Sequence, residues 1–474
     1  MKLHLSSLRI ECRNGNIVIP FSDGISVFYG NAGVGKTTLL NLVNYALGQD
    51  LVKTKTVSSE ILAVHLDAFI SGTRVLVNRK IGSNQMMIHD DNGNHWYHAK
   101  YVNNGGTFSD YLYSINCCEP LAMIRNKTSV PIRVTFANFI WFSYLRQDEL
   151  DNTFFYLGES NMNFKSYASA FVLKSLLIDD PYSEVNNLRK VNYIKEKQTV
   201  LRQKLSLLEE IMGATSLARV DMNKEIVDKQ RLAYQLKCDI DELRSAAEVN
   251  DLVIENIIKK SYDSGRYDAE SIYLKEFNKF NILATGYKNE ICKLDKELIN
   301  FDINNREKET VYAENIKDLE QTFADCLKKV SFPDMEDTDS VRIDTSSMIP
   351  SIVSISGREK YNYTSISSGG IRTIYKICFA VAIHIYATKH NTNSILPNIL
   401  MIDTPMKNIS ERTDSGIYDS LYHFLFDTFG KGGRLEHCQL VIVDKECPKV
   451  STSEKILFRE FSRENPLIPD CNLW

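Results

Sequence analysis

Short apolar–polar alternations open the chain. Leu3–Leu5, Leu8–Ile10, Ile17–Ile19 and Ile25–Tyr29 fall within the first 30 residues. They give the period-two signal of strands with one buried face, and the last runs into a glycine-rich turn. Thr73–Arg79 and Gln85–His89, followed by the turn Asp90–Asn94, predict further meandering strands. The period then changes. Between Pro181 and Pro333 lie 151 residues without a proline and with only Gly213, Gly265 and Gly286, a composition that predicts helix. Apolar residues recur there at alternating three and four spacings: Leu201, Leu205, Leu208, Met212; Leu236, Ile240, Leu243; Ile291, Leu294, Leu298, Phe301; Tyr312, Ile316, Leu319, Phe323. Lys and Glu of mixed sign fill the faces between, as in Lys195–Lys197 and Lys293–Leu298, which is a coiled-coil pattern.

One coiled-coil strand needs a partner, so the pattern must fold back on itself. The turn signals lie near 246–268, with Ala246–Asn250 ahead of Ser261–Asp268. Two arms of roughly 60 residues would reach about 90 Å at 1.5 Å per residue. Gly213–Ser216 predicts a break, an elbow in the ascending arm. A compact helical bundle inserted in a globular domain is the alternative. After Pro333 the α/β character returns. Ile352–Ile355 reads as a strand, residues from about 370 to 389 as a helix, and Asn398–Asp403 and Gln439–Val443 as buried strands. The expected organisation is 1–180, 181–332 and 333–474.

Composition narrows the class of protein. The 474 residues are 43% hydrophobic, 24% charged and 10% aromatic, ordinary for a globular chain of about three units. A formal net charge of −4 excludes coating of nucleic acid by bulk charge, so any DNA contact must be a local patch. No apolar run approaches the roughly 18 residues that span a bilayer, and the N-terminus lacks the features of a signal peptide. The ten cysteines include one adjacent pair, Cys117 and Cys118, and no CxxC. A zinc ribbon or disulfide framework is not expected, and the chain reads as a reduced, cytoplasmic protein. Cys438 and Cys447 flank a strand near His437 but lack a fourth ligand at zinc spacing.

The strongest chemical signal is Gly30-Asn31-Ala32-Gly33-Val34-Gly35-Lys36-Thr37, which fits GxxxxGK[ST] between a strand and a helical run. Its glycines let backbone N–H groups curl around phosphates at a helix N-terminus. In such a loop Lys36 holds the β- and γ-phosphates of ATP and the Thr37 hydroxyl sits on Mg2+, with Thr38 beside it. The second element is Ile399–Asp403, four aliphatics ending in a carboxylate. Expected beside the P-loop strand, it would bring Asp403 to the magnesium shell. The third is Ser367-Ser368-Gly369-Gly370 ahead of a helix, a second anion nest.

This order of elements resembles the coiled-coil ABC ATPases: the structural-maintenance-of-chromosomes (SMC) proteins, the RecN and RecF repair proteins, and the ATPase partner of the Mre nuclease. The order covers the whole chain; the motifs cover some 30 residues. Ser367–Ile371 looks like the family's LSGGQ signature, with Ser at the Leu place and Ile at the Gln place. Leu145–Glu149 looks like its Q-loop, whose glutamine, Gln147, would complete the magnesium shell. The resemblance implies an α/β fold: an ABC-type P-loop ATPase head built from N- and C-terminal lobes, with a long antiparallel coiled coil inserted between them. It also implies an ATP-dependent homodimer of heads. Each ATP would lie between the P-loop of one subunit and Ser368, Gly369 and Gly370 of the other. Double-stranded DNA and a separate effector or nuclease subunit are the implied partners, with no membrane role.

Three departures stand out. The family's catalytic glutamate is replaced by Thr404, which cannot act as a base at neutral pH; Glu411 or Asp414 are the carboxylates nearby in sequence. The histidine after the next strand is replaced by Asp444-Lys445-Glu446. The tip lacks a CxxC zinc hook. The small size resembles the SMC-like subunits of anti-phage systems such as the Lamassu type. A nucleotide-gated scaffold with negligible hydrolysis is the main alternative, and a P-loop phosphotransferase the third. Arg189, Lys190, Lys195, Lys197, Arg202 and Lys204 are candidates for phosphate-backbone contact, against the plainer reading of a solvated helix face. Trp474 is a candidate docking residue.

Overall fold

The structure is a computed structural model. It describes residues 1–52, 54–100, 106–123, 132–157, 163–178, 181–217, 269–333, 335–390, 394–406, 415–447 and 456–468. The predicted hairpin tip, the seam positions Leu236, Ile240 and Leu243, and Glu411, Asp414 and Trp474 lie outside these. The chain forms two compact units, one of residues 1–185 with 308–474, the other of residues 186–307.

The larger unit holds two principal sheets. Six strands form an antiparallel sheet in the order Gly15–Pro20, Leu3–Cys12, Ile61–Ile70, Thr73–Lys80, Gln85–Asp90, Gly93–His98. Their alternating burial, as at Leu3, Leu5, Leu8 and Ile10, is that of a sheet covered on one face. Five parallel strands form the second sheet, in the order Tyr144–Leu145, Ile399–Asp403, Gln439–Asp444, Ile25–Gly30, Leu457–Phe461. Ile399–Asp403 and Gln439–Asp444 are buried at every position, as parallel strands covered on both faces are. Here the structure corrects the sequence reading: Ile399–Asp403 is not beside the P-loop strand, because Gln439–Asp444 pairs with both and lies between them. Helix Lys36–Ala46 packs against strands of both sheets.

The helix Gly369–Lys389 is long and apolar enough by composition to cross a bilayer, yet 83% of its apolar 18-residue stretch is buried inside the fold. It carries a buried lysine as well. Lys376 is 2% exposed, and its Nζ donates to the carbonyls of Glu149 at 2.7 Å and Thr153 at 2.9 Å. Arg372 donates through Nη1 to the Asp151 carbonyl at 3.4 Å. These bonds fasten the helix to the segment after Gln147. Rings of Phe154, Phe155, Tyr375, Phe379 and Phe323 pack edge to face or tilted around it, burying large apolar area in defined geometry.

In the smaller unit the arms run antiparallel. Lys197 pairs with Glu290 at 2.6 Å, Gln198 with Asp295 at 2.8 Å and Lys288 with Glu209 at 2.9 Å. Ile194, Leu201 and Leu294 form the buried seam, flanked by Tyr287, Ile291 and Leu298. The helix Pro181–Leu217 continues through 213–216, so the predicted elbow is absent; helical hydrogen bonding tolerates one glycine at a cost of about 1 kcal/mol. Of the stripe on Ala269–Lys329, Ile316, Leu319 and Phe323 are buried in the core of the larger unit.

Candidate functional site

The P-loop strand ends at Gly30, whose φ of 142° and position leave no room for a side chain: a Cβ there would lie 1.9 Å from the Phe461 carbonyl oxygen. Gly35, at φ 98°, caps the helix Lys36–Ala46 without any side-chain hydrogen bond. The first-turn amides therefore have no side-chain cap, as an anion site requires. Lys36 is buried, and its Nζ donates to the carbonyls of Gly30 and Asn31, both at 2.6 Å. Burial lowers its pKa, opposed by the charges of Asp444 and Asp403.

Across 366 residues of sequence, Thr37 Oγ1 donates to Asp403 Oδ1 at 3.2 Å. Thr404 Oγ1 donates to the same oxygen at 3.0 Å. Asp403 is 1% exposed, and its Oδ2 has no hydrogen-bond partner. Burial pushes its carboxyl up to about 6. An orphaned carboxylate oxygen beside a threonine hydroxyl is a hard-oxygen donor set that fits Mg2+, which takes few protein ligands and completes its shell with phosphates and water. Thr404 sits at φ 58°, a costly conformation for a β-branched residue, held by its amide bond to the Val443 carbonyl at 2.8 Å.

A cavity of about 430 Å³ is lined by Ala32, Gly33, Val34, Gly35, Lys36, Thr37 and Thr38 on the P-loop side, with Thr54–Thr56, Gln147, Thr404, Lys445 and Ile468; Asp403 is not in its wall and adjoins it through Thr37 and Thr404. Gln147 reaches it because Tyr144–Leu145 joins the parallel sheet beside the aspartate strand. Sequence reasoning missed Thr54–Thr56 and Ile468, which carry no motif. It met Lys445 only as the place where a histidine is missing.

Ser368, Gly369 and Gly370 do not line this cavity. Ser368 is exposed and caps the helix Gly369–Lys389, its Oγ accepting from the Ile371 amide at 3.5 Å. Of the basic arm residues, Lys197 and Arg202 face carboxylates of the opposing arm. Cys438 is buried against Thr388.

No family model and no curated protein matches the chain. Among solved structures it is similar to the Smc head domain with an extended coiled coil bound to the C-terminal domain of ScpA from Pyrococcus furiosus, at 11% identity over 94% of this chain and 90% of that one, with a TM-score of 0.46. It is also similar to the Smc head domain with a coiled coil and joint from Pyrococcus yayanosii, at 14% identity over 93% and 92%, with a TM-score of 0.42.

Proposed function

We propose that this chain is an SMC-like ATPase that binds Mg2+–ATP in the P-loop cavity and uses it to pair two heads. The observation that carries the reading is the convergence of Thr37 on Asp403, with Lys36 buried beside them and Asp403 Oδ2 left unpartnered. Neither motif alone predicts that contact, and a glycine-rich turn with no nucleotide role has no use for it. A magnesium ion held by Thr37, Asp403 and Gln147 would neutralise charge on the terminal phosphates. The backbone of Gly30–Gly35 cradles the phosphate chain, and Lys36 exchanges its carbonyl partners for phosphate oxygens. Asp403 orients Thr37. The Ser368-Gly369-Gly370 segment of one subunit, exposed at Ser368, closes the nucleotide site of another, so ATP acts as an interfacial ligand and its hydrolysis releases the pair.

A second reading is favoured by Thr404. Its hydroxyl is engaged by Asp403 and is no general base, so the residue directly after Asp403 cannot activate water, and the nucleotide then serves as a clamp with slow turnover. In both readings the arms carry head pairing outward to double-stranded DNA and to a separate effector or nuclease subunit, in DNA repair or anti-phage defence.

The test is ATP binding and turnover by the whole chain, with and without linear double-stranded DNA. Wild type should bind ATP and Lys36→Ala should not. DNA-stimulated turnover supports the enzyme, and ATP-dependent dimerisation without turnover supports the clamp. Equal ATP binding by wild type and Lys36→Ala would sink both.

A further inference from the structure

The phosphate loop is gripped by the stretch that follows the strand Leu457–Phe461. That strand runs parallel to Ile25–Gly30 with Phe461 opposite Gly30, and the Phe461 ring stacks on Phe28 at 6.0 Å. Beyond it a turn closes through two bonds of 3.1 Å, the Ser462 amide donating to the Asn465 carbonyl and the Asn465 amide to Ser462 Oγ. Pro466 then fixes its own φ and lowers the entropy of the free segment. The turn returns Leu467 to the loop, where its amide donates to the Val34 carbonyl at 3.0 Å. Leu467 is 1% exposed and shares one core with Val34 and Ile468. The approach is so close that a Cβ on Gly35 would lie 2.7 Å from the Leu467 Cβ.

The loop has little else to order it. Gly30, Gly33 and Gly35 all sit at positive φ, and glycine loses the most freedom on folding. Asn31, Ala32 and Gly33 are exposed, and Val34 is the one buried side chain between Gly30 and Lys36. A trans peptide sets its C=O and N–H on opposite sides. The bond to the Val34 carbonyl therefore turns the Gly35 amide away from Leu467. Flipping that peptide would exchange the two, presenting a carbonyl where an anion needs a donor.

Resting on the nucleotide-site reading above, we propose that Leu467 is a positioning residue for the phosphate loop. It holds the Val34–Gly35 peptide with its amide toward the cavity before nucleotide arrives, so that binding does not have to order the loop. Leu467 is absent from the cavity wall and acts through Val34 and Gly35, whereas the next residue, Ile468, lines that wall. Nucleotide and segment therefore stabilise each other, since a coupling between two sites is reciprocal.

The experiment reads both directions of that coupling on the whole chain. In wild type, Mg2+–ADP should slow hydrogen exchange of the Leu467 amide at least about fivefold, because that amide reports opening of the segment. Calorimetric titration of Leu467→Ala should show ATP and ADP affinities falling together by about fivefold or more, since the competent loop is then a smaller fraction of the population. Amides of Gln439–Asp444 exchanging at wild-type rates in that variant would show that the sheet is folded. Leu467→Met, close in volume, should restore both affinities to within about twofold. Leu467→Val should move them in the same sense by less, and serves if the alanine variant does not fold. Wild-type affinity in folded Leu467→Ala and Leu467→Val, no protection of the Leu467 amide by ADP, or no rescue by methionine overturns the positioning role while leaving the nucleotide site standing. If wild type binds neither nucleotide, the site reading fails and this inference with it.

Discussion

His384 offers a pH-dependent test of the packing around the helix Gly369–Lys389. The imidazole is 2% exposed, and its Nε2 faces Ser143 Oγ and the Phe142 carbonyl, each at 3.3 Å. Burial lowers its pKa from 6.5 to about 4, a shift that the carbonyl bond opposes. The folded state therefore refuses a proton that the unfolded chain takes up. Its contribution is intact above pH 6.5, falls through the window from 6.5 to about 4, and is fully lost below it. Linkage gives a loss of about 2 kcal/mol at pH 5 relative to pH 7.5 for two such pKa values. The carboxyls of Asp403 and Asp444, pushed up to about 6 by burial, act in the opposite sense, because their protonation favours the folded state. The wild-type curve alone mixes these terms, so the comparison must be with His384→Gln, which keeps an N–H donor and does not titrate. Urea denaturation at pH 7.5 and pH 5, followed by tryptophan fluorescence and by circular dichroism, gives the two stabilities. Wild type should lose about 2 kcal/mol more than the variant on acidification. Parallel losses would refute the claim that His384 is held neutral by burial.

Three further outcomes follow from the site. Gly30→Ala places a Cβ 1.9 Å from the Phe461 carbonyl; it should destabilise the larger unit by about 2 kcal/mol or more and abolish ATP binding, read by melting and titration. Thr404→Glu places a carboxylate directly after Asp403 and, on the ATPase reading proposed above, should raise ATP turnover at least about tenfold; an unchanged or lower rate in a variant that still binds ATP would count against a base acting from that position. Ser368→Arg puts a bulky cation on the exposed cap and should leave ATP affinity within about twofold while blocking ATP-dependent dimerisation by light scattering, because unpaired charge and bulk at an interface cost several kcal/mol; an unaffected dimer would remove the signature from the pairing surface.

Much of the site was legible because its chemistry is local. Gly30, Gly33 and Gly35 are needed for positive φ within one short loop, and Lys36 and Thr37 follow it directly, so contiguous residues announce the motif. Asp403 could be named because a run of buried aliphatics ending in a carboxylate is also contiguous. Thr54–Thr56, Lys445 and Ile468 could not be, since nothing in their neighbours marks them; they reach the cavity by the routing of distant segments.

The elements are local properties of the chain: strands follow from period two, the arms from alternating three and four spacings, and the phosphate loop from its glycines. Each is set by residues a few positions apart, through backbone sterics and the face that must be buried. Which elements meet is settled by long-range packing. Buried aliphatic strands are interchangeable as neighbours, so the chain could not show that Gln439–Asp444 would separate Asp403 from the P-loop strand. Nor could it show where one helical stripe changes partner. Leu294 is buried in the seam between the arms, whereas Ile316, Leu319 and Phe323 are buried in the larger unit's core. Both stretches carry the same periodicity, because hydrophobic burial is non-directional and names no partner.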